Sequence, residues 1–209
     1  MNYRLLSVLM VLSAALPSWS ADTVEKIFEK AKAVNPGLQD SSADMTVQIK
    51  AVLGFIPYNT GANGKYFHKH PDKNKLDLQN APSWLKRYPN VFGYKLPDLT
   101  RYNTLKIQEM DLRGLPVYKV MLIPKEHTND ITSLDIYFNR NDYTVPKYDT
   151  FYNKGHLYVD MDYTRADKYV VCDKLSADFE FPNITATATA GYANYLFNQK
   201  LPDAMFSAK

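Results

Sequence analysis

The chain of 209 residues contains a single cysteine, Cys172. One thiol cannot close an intramolecular disulfide, so stability has to come from packing. Tyr169, Val170 and Val171 beside it suit a strand interior, which predicts a buried, inert thiol rather than a nucleophile. No charge of one sign dominates: 25 Lys and Arg stand against 22 Asp and Glu, a net of +3. That balance excludes the strongly basic surface that a nucleic-acid partner requires. Gly-x-Ser-x-Gly elbows, phosphate loops and dinucleotide fingerprints are all missing, so no enzyme class announces itself and none is expected.

Long apolar runs are missing too, with one exception at the start. Met1–Arg4 carries a positive charge, Leu5–Leu16 is apolar, Pro17 breaks the run, and Ser18-x-Ser20 supplies small residues. This is the pattern of a cleavable export signal, with the cut expected between Ser20 and Ala21. A run of about 12 residues is too short for a membrane span, which takes roughly 20. No cysteine follows it, so no lipid anchor is expected. Residues 21–209 are then one domain of ordinary size, working outside the cytoplasm.

One helix is legible. Val24, Ile27, Phe28, Ala31 and Val34 form a single apolar stripe, Asp22 with Glu25 reads as a capping box, and Asn35-Pro36-Gly37 ends it. Almost everything else has the two-residue period of strands, over 45–50, 65–69, 75–79, 105–112, 116–123, 131–138, 143–152, 157–164, 175–181 and 184–196. Short turns such as Arg113-Gly114 and Asn153-Lys154-Gly155 join them, which predicts an antiparallel meander. The exception is 81–102, rich in proline yet carrying Trp84, Leu85, Tyr88 and Phe92. Exposing side chains of that kind costs roughly 1.5–3 kcal/mol each, so the segment should fold back as a partly helical lid.

Eight to eleven strands at ~4.8 Å make a sheet roughly 40–50 Å across, and a single helix ~10 Å wide cannot cover its apolar face. The sheet must therefore curl around the helix, leaving an apolar groove or cavity. Its candidate lining is Leu134, Ile136 and Phe138 on one strand, Leu157, Val159, Met161 and Tyr163 on the next, and Phe179 and Phe181 on a third. Trp84, Leu85, Tyr88 and Phe92 are the candidate lid. The plainer reading is a curled sheet filled entirely by its own side chains.

The helix ended by Pro36-Gly37, the interrupted meander and the closing Tyr192-Ala193-Asn194-Tyr195, Asn198 and Leu201-Pro202-Asp203-x-x-Phe206 resemble the periplasmic lipoprotein carrier superfamily (LolA/LolB-like), particularly its outer membrane lipoprotein-sorting relatives. The resemblance covers nearly all of the mature chain through loose patterns. It implies a mainly β (α+β) fold: a single curved antiparallel sheet, or half-open barrel, wrapped on the N-terminal helix. It further implies a periplasmic, non-enzymatic carrier of a lipid or an acylated lipoprotein, with transient membrane-surface contact and no cofactor. An envelope sensory or protein-interaction domain on the same fold is the alternative.

Other constellations carry less. His68-x-His70 lacks a third ligand, and Pro71 ends its strand, so a solvated pair is expected and no metal site. Asp160 and Asp162, with Asp142 and Asp149, supply carboxylates that could do acid–base work if desolvated, but Asp160 and Asp162 alternate with apolar residues and belong on the wet face, so catalysis is not expected. The basic stretch Lys65–Arg87 reads as a solvated hairpin edge, or else as a patch for anionic headgroups.

Overall fold

A computed structural model describes residues 22–80, 91–93, 95–126 and 130–207. The expected export signal and the lid residues Trp84, Leu85 and Tyr88, with the short helix expected around them, lie outside the described residues. None of the helices among the described residues is long and apolar enough to cross a membrane.

Helix α1 spans Val24–Lys32 and buries Val24, Ile27 and Phe28. Its cap is Thr23, whose hydroxyl oxygen accepts from the Lys26 N–H at 3.4 Å, and not the expected Asp22. Asp22 is drawn away by stronger partners: it accepts from Lys30 Nζ at 2.7 Å and from the Tyr143 hydroxyl at 2.9 Å. Those two bonds hold the carboxyl below its usual range and tie the helix start to a turn of the sheet.

The remainder is one ten-stranded antiparallel sheet. Its strands are β1 (Asp40–Leu53), β2 (Ile56–Lys69), β3 (Lys73–Leu78), β4 (Tyr102–Leu112) and β5 (Leu115–Pro124). They continue with β6 (Ile131–Asn139), β7 (Lys147–Tyr152), β8 (Gly155–Ala166), β9 (Tyr169–Phe181) and β10 (Ile184–Phe197). Their order across the sheet is β3-β2-β1-β10-β9-β8-β7-β6-β5-β4. Every neighbouring pair is a hairpin except β1 with β10, whose long register runs from Ser41 opposite Phe197 to Leu53 opposite Ile184. The unpaired edges are β3 and β4, so the sheet is a curved, half-open barrel.

One face of each strand turns inward. Ala43, Met45, Val47, Ile49 and Ala51 of β1 are buried, as are Ala186, Ala188 and Ala190 of β10, while Thr46, Gln48 and Lys50 face water. Across β8 and β9, Val159 stands opposite Ala177 and Leu157 opposite Phe179, all at most 4% exposed. Phe28 of α1 rests on Phe138 with ring centroids 5.2 Å apart, so the helix fills the β6 side of the interior.

Two strand boundaries differ from expectation. β7 begins at Lys147 rather than 143, because Tyr143 is left-handed (φ 60°) and Pro146 lacks an N–H. β2 extends back to Ile56; its first half hides from periodicity because Pro57, Gly61 and Gly64 interrupt the alternation. Gly64 is required, since a Cβ there would run into the Asp77 carbonyl. At the β1–β2 turn Phe55 is fully exposed and Ile56 is 70% exposed.

Candidate functional site

Between the last turn of α1, the β1–β3 edge, β8–β10 and the returning segment 95–101 lies a cavity of about 870 Å³. Its walls are Tyr66, Met161, Tyr163, Leu175, Tyr192 and Tyr195, closed by Phe92, Leu96 and Leu99. Of the lining expected from sequence, Met161 and Tyr163 border this space, and so does Phe92 of the expected lid. Ile136, Phe138, Leu157, Val159 and Phe179 lie instead in the packed core, each at most 4% exposed, and Leu134 and Phe181 pack partly buried against it. The reason is steric. These branched and aromatic side chains fill the half of the barrel under α1, and the open volume is displaced toward the β1–β3 edge.

The placement of Val91–Gly93 was not legible in the sequence. Val91 and Phe92 are 1% and 2% exposed, inside the sheet. Three consecutive carbonyls are held there by side chains of three strands. Tyr148 donates to Val91 O at 3.5 Å, Tyr192 to Phe92 O at 2.7 Å, and the Asn74 amide to Gly93 O at 2.9 Å. Asn74 is the hub, because its Oδ1 also accepts from the Tyr66 hydroxyl at 3.0 Å and lies 2.8 Å from His68 Nδ1. Gly93 permits this closeness, since a Cβ there would press on Asn74 and on the Tyr66 ring at 3.0 Å. A lone asparagine on a short edge strand carries no sequence signal for such a role. Tyr192 and Tyr195, by contrast, stand in the closing pattern noted above.

The tyrosine hydroxyls of the wall are already committed. Tyr163 donates to Val145 O at 3.1 Å and Tyr195 to Cys172 O at 2.7 Å. Burial pushes the hydroxyls of Tyr66, Tyr163, Tyr192 and Tyr195 well up, so all remain neutral at physiological pH. Cys172 lines the same wall, and burial lifts its thiol to about 12. The expectation of an inert thiol thus has a physical cause, although the side chain is only partly buried.

The rim is polar. Lys95 pairs with Asp72, and Asp98 accepts from the Thr100 N–H at 3.0 Å and its hydroxyl at 2.8 Å. His68 is half-buried rather than solvated, and burial holds its pKa below the ordinary value. Among the described residues no three His, Cys, Asp or Glu are grouped as a metal site would need. The remaining carboxylates stand away from the cavity. Asp160 meets Arg113 at 3.3 Å, Asp162 is exposed, and Asp149 lies opposite Asp135 with Lys147 at 3.3 Å. Much of the basic stretch is internally paired: Lys65 with Asp44 at 2.8 Å, and Lys69 and Lys73 with Asp203 at 2.8 and 3.0 Å.

The described residues thus form a ten-stranded unclosed sheet around one helix, with a cavity toward one edge. No family model matches the sequence, and no characterised protein resembles it significantly in sequence. Solved structures are similar in fold. A domain from Vibrio parahaemolyticus described as an outer membrane lipoprotein-sorting protein domain superposes with a TM-score of 0.61 at 15% identity, over 86% of this chain and 94% of that one. A LolA superfamily protein from Nitrosomonas europaea gives 0.61 at 10% identity, over 90% and 99%. A DUF1329 family protein from Desulfovibrio piger gives 0.62 at 13% identity, over 90% and 98%. The fold is therefore the LolA-like one that the sequence resemblance implied.

Proposed function

We propose that the protein is a non-enzymatic periplasmic carrier or binding protein that holds a lipid or lipoprotein acyl group in this cavity. The observation that carries the reading is the cavity itself: about 870 Å³, walled by aromatic and aliphatic side chains whose hydroxyls are already bonded. Its size falls within the ~300–1,000 Å³ range of sites for small guests. Each methylene moved there from water contributes ~0.8 kcal/mol, so one chain supplies several kcal/mol after the costs of association. The N-terminal export pattern and the likeness to LolA-like folds support the same reading. Native mass spectrometry of protein purified from the envelope should show a co-purifying lipid. A preparation that stays ligand-free and also ignores fluorescent fatty acids would overturn it.

A second reading, an interaction or sensory domain, draws support from the β1–β2 turn, where Phe55 and Ile56 are exposed and no charged residue occurs between Lys50 and Lys65. It predicts a partner in envelope pull-downs that is lost with Phe55→Ser while fatty-acid binding is unchanged.

A further inference from the structure

We infer that the guest is an anionic amphiphile, with its hydrocarbon inside and a carboxylate or phosphate at the rim held by Lys32 and Arg101; this rests on the carrier reading above. The inference starts from which donors are free. Tyr66, Tyr163, Tyr192 and Tyr195 each spend their hydroxyl proton on a protein acceptor, and Asn35 of the wall is bonded both ways to the Val170 backbone at 2.8 Å. A guest whose polar group went in first would therefore lose its hydration against tyrosine and asparagine donors that are already spent. Its polar end has to stay at the mouth.

The mouth has a sign. Lys32, Lys95 and Arg101 border the cavity against Asp72 and Asp98. Lys95 is neutralised by Asp72. Asp98 lies within electrostatic reach of Lys32 and Arg101, but its Oδ1 is turned into the Thr100 cap. Lys32 and Arg101, from the end of α1 and the end of the insertion, enter no ion pair among the described residues. They approach the opening from two different elements, and both are exposed, so neither has been desolvated in advance. An ammonium and a guanidinium that enter no ion pair among the described residues, at the mouth of this cavity, favour a negatively charged head, by charge-assisted hydrogen bonds. The acylated N-terminal cysteine of a lipoprotein carries an amide or an ammonium and offers no anion, so the inference favours free lipid over lipoprotein cargo.

Fluorescence displacement tests this with ligands of one chain length: palmitate, lysopalmitoylphosphatidylglycerol, hexadecanol and hexadecylamine. Palmitate or the phosphatidylglycerol should bind about tenfold more tightly than hexadecanol, and which of the two leads separates a fatty acid from a phospholipid source. In Lys32→Gln/Arg101→Gln the advantage should fall below about twofold while hexadecanol binding persists. With the unaltered protein, added salt should weaken palmitate and leave hexadecanol unmoved, a second measurement that needs no variant. Equal binding of all four, or tightest binding of the amine, overturns the inference and leaves the carrier reading standing. Failure of every ligand to bind overturns the carrier reading, and this inference with it.

Discussion

Replacing Phe92 by alanine isolates the docking of the insertion inside the barrel. The ring is 2% exposed and is among the residues that border the cavity. Truncating a buried phenylalanine costs about 3–5 kcal/mol, made up of a transfer contribution and a contribution for the void left behind. Here the void opens into an existing space of about 870 Å³, so little new enclosed volume forms. The loss should lie at the low end, about 3 kcal/mol. Urea unfolding followed by tryptophan-independent circular dichroism reads it directly. With a slope of about 2 kcal/mol per molar, the midpoint should fall by about 1.5 M with the slope unchanged. A segment merely lying on the surface would give a shift below about 0.3 M. So would one that undocks at little cost, because the loss is capped by the free energy of local opening. Either result would refute the placement of 91–93 as part of the core.

Three further outcomes follow from single residues. Gly64→Ala forces a methyl group against the Asp77 carbonyl; it should destabilise the domain by more than about 2 kcal/mol and abolish amide protection along β3 in hydrogen exchange. His68 has its pKa lowered chiefly by burial, so its neutral form stabilises the fold above the unfolded value of about 6.5, and that contribution is lost as pH falls through it. Lowering the pH from 7.5 to 5 should therefore reduce Tm more in the native sequence than in His68→Asn, and equal slopes would contradict this. Cys172, with its thiol raised to about 12, should react with a disulfide reagent at pH 8 at least about a hundredfold more slowly folded than in urea, and comparable rates would show an accessible thiolate.

Local periodicity made the architecture legible. The α1 stripe and the alternation of β8 and β10 were readable because each of those segments buries one face only. β2 was half hidden, since Gly64 sits where a side chain would otherwise mark the inner face and Gly61 leaves the outer face blank beside Gln48. The surplus of apolar surface was also readable, but its whereabouts were not. Ile136, Phe138, Val159 and Phe179 have the strongest apolar pattern and are therefore the side chains that fill the barrel beneath α1. The open space falls among Tyr66, Tyr163, Tyr192 and Tyr195, whose half-polar character is ambiguous in sequence. Asn74 shows a different limit: its importance lies in three partners on β2 and the insertion that only the fold brings together.

Among the described residues, the two free edges of the sheet belong to β3 and β4, which are successive in the chain. Adding or deleting residues in any hairpin would slide one strand past its neighbour and turn inward-facing groups outward. No ladder joins β3 to β4, so a change of length between them shifts none of the nine strand pairings.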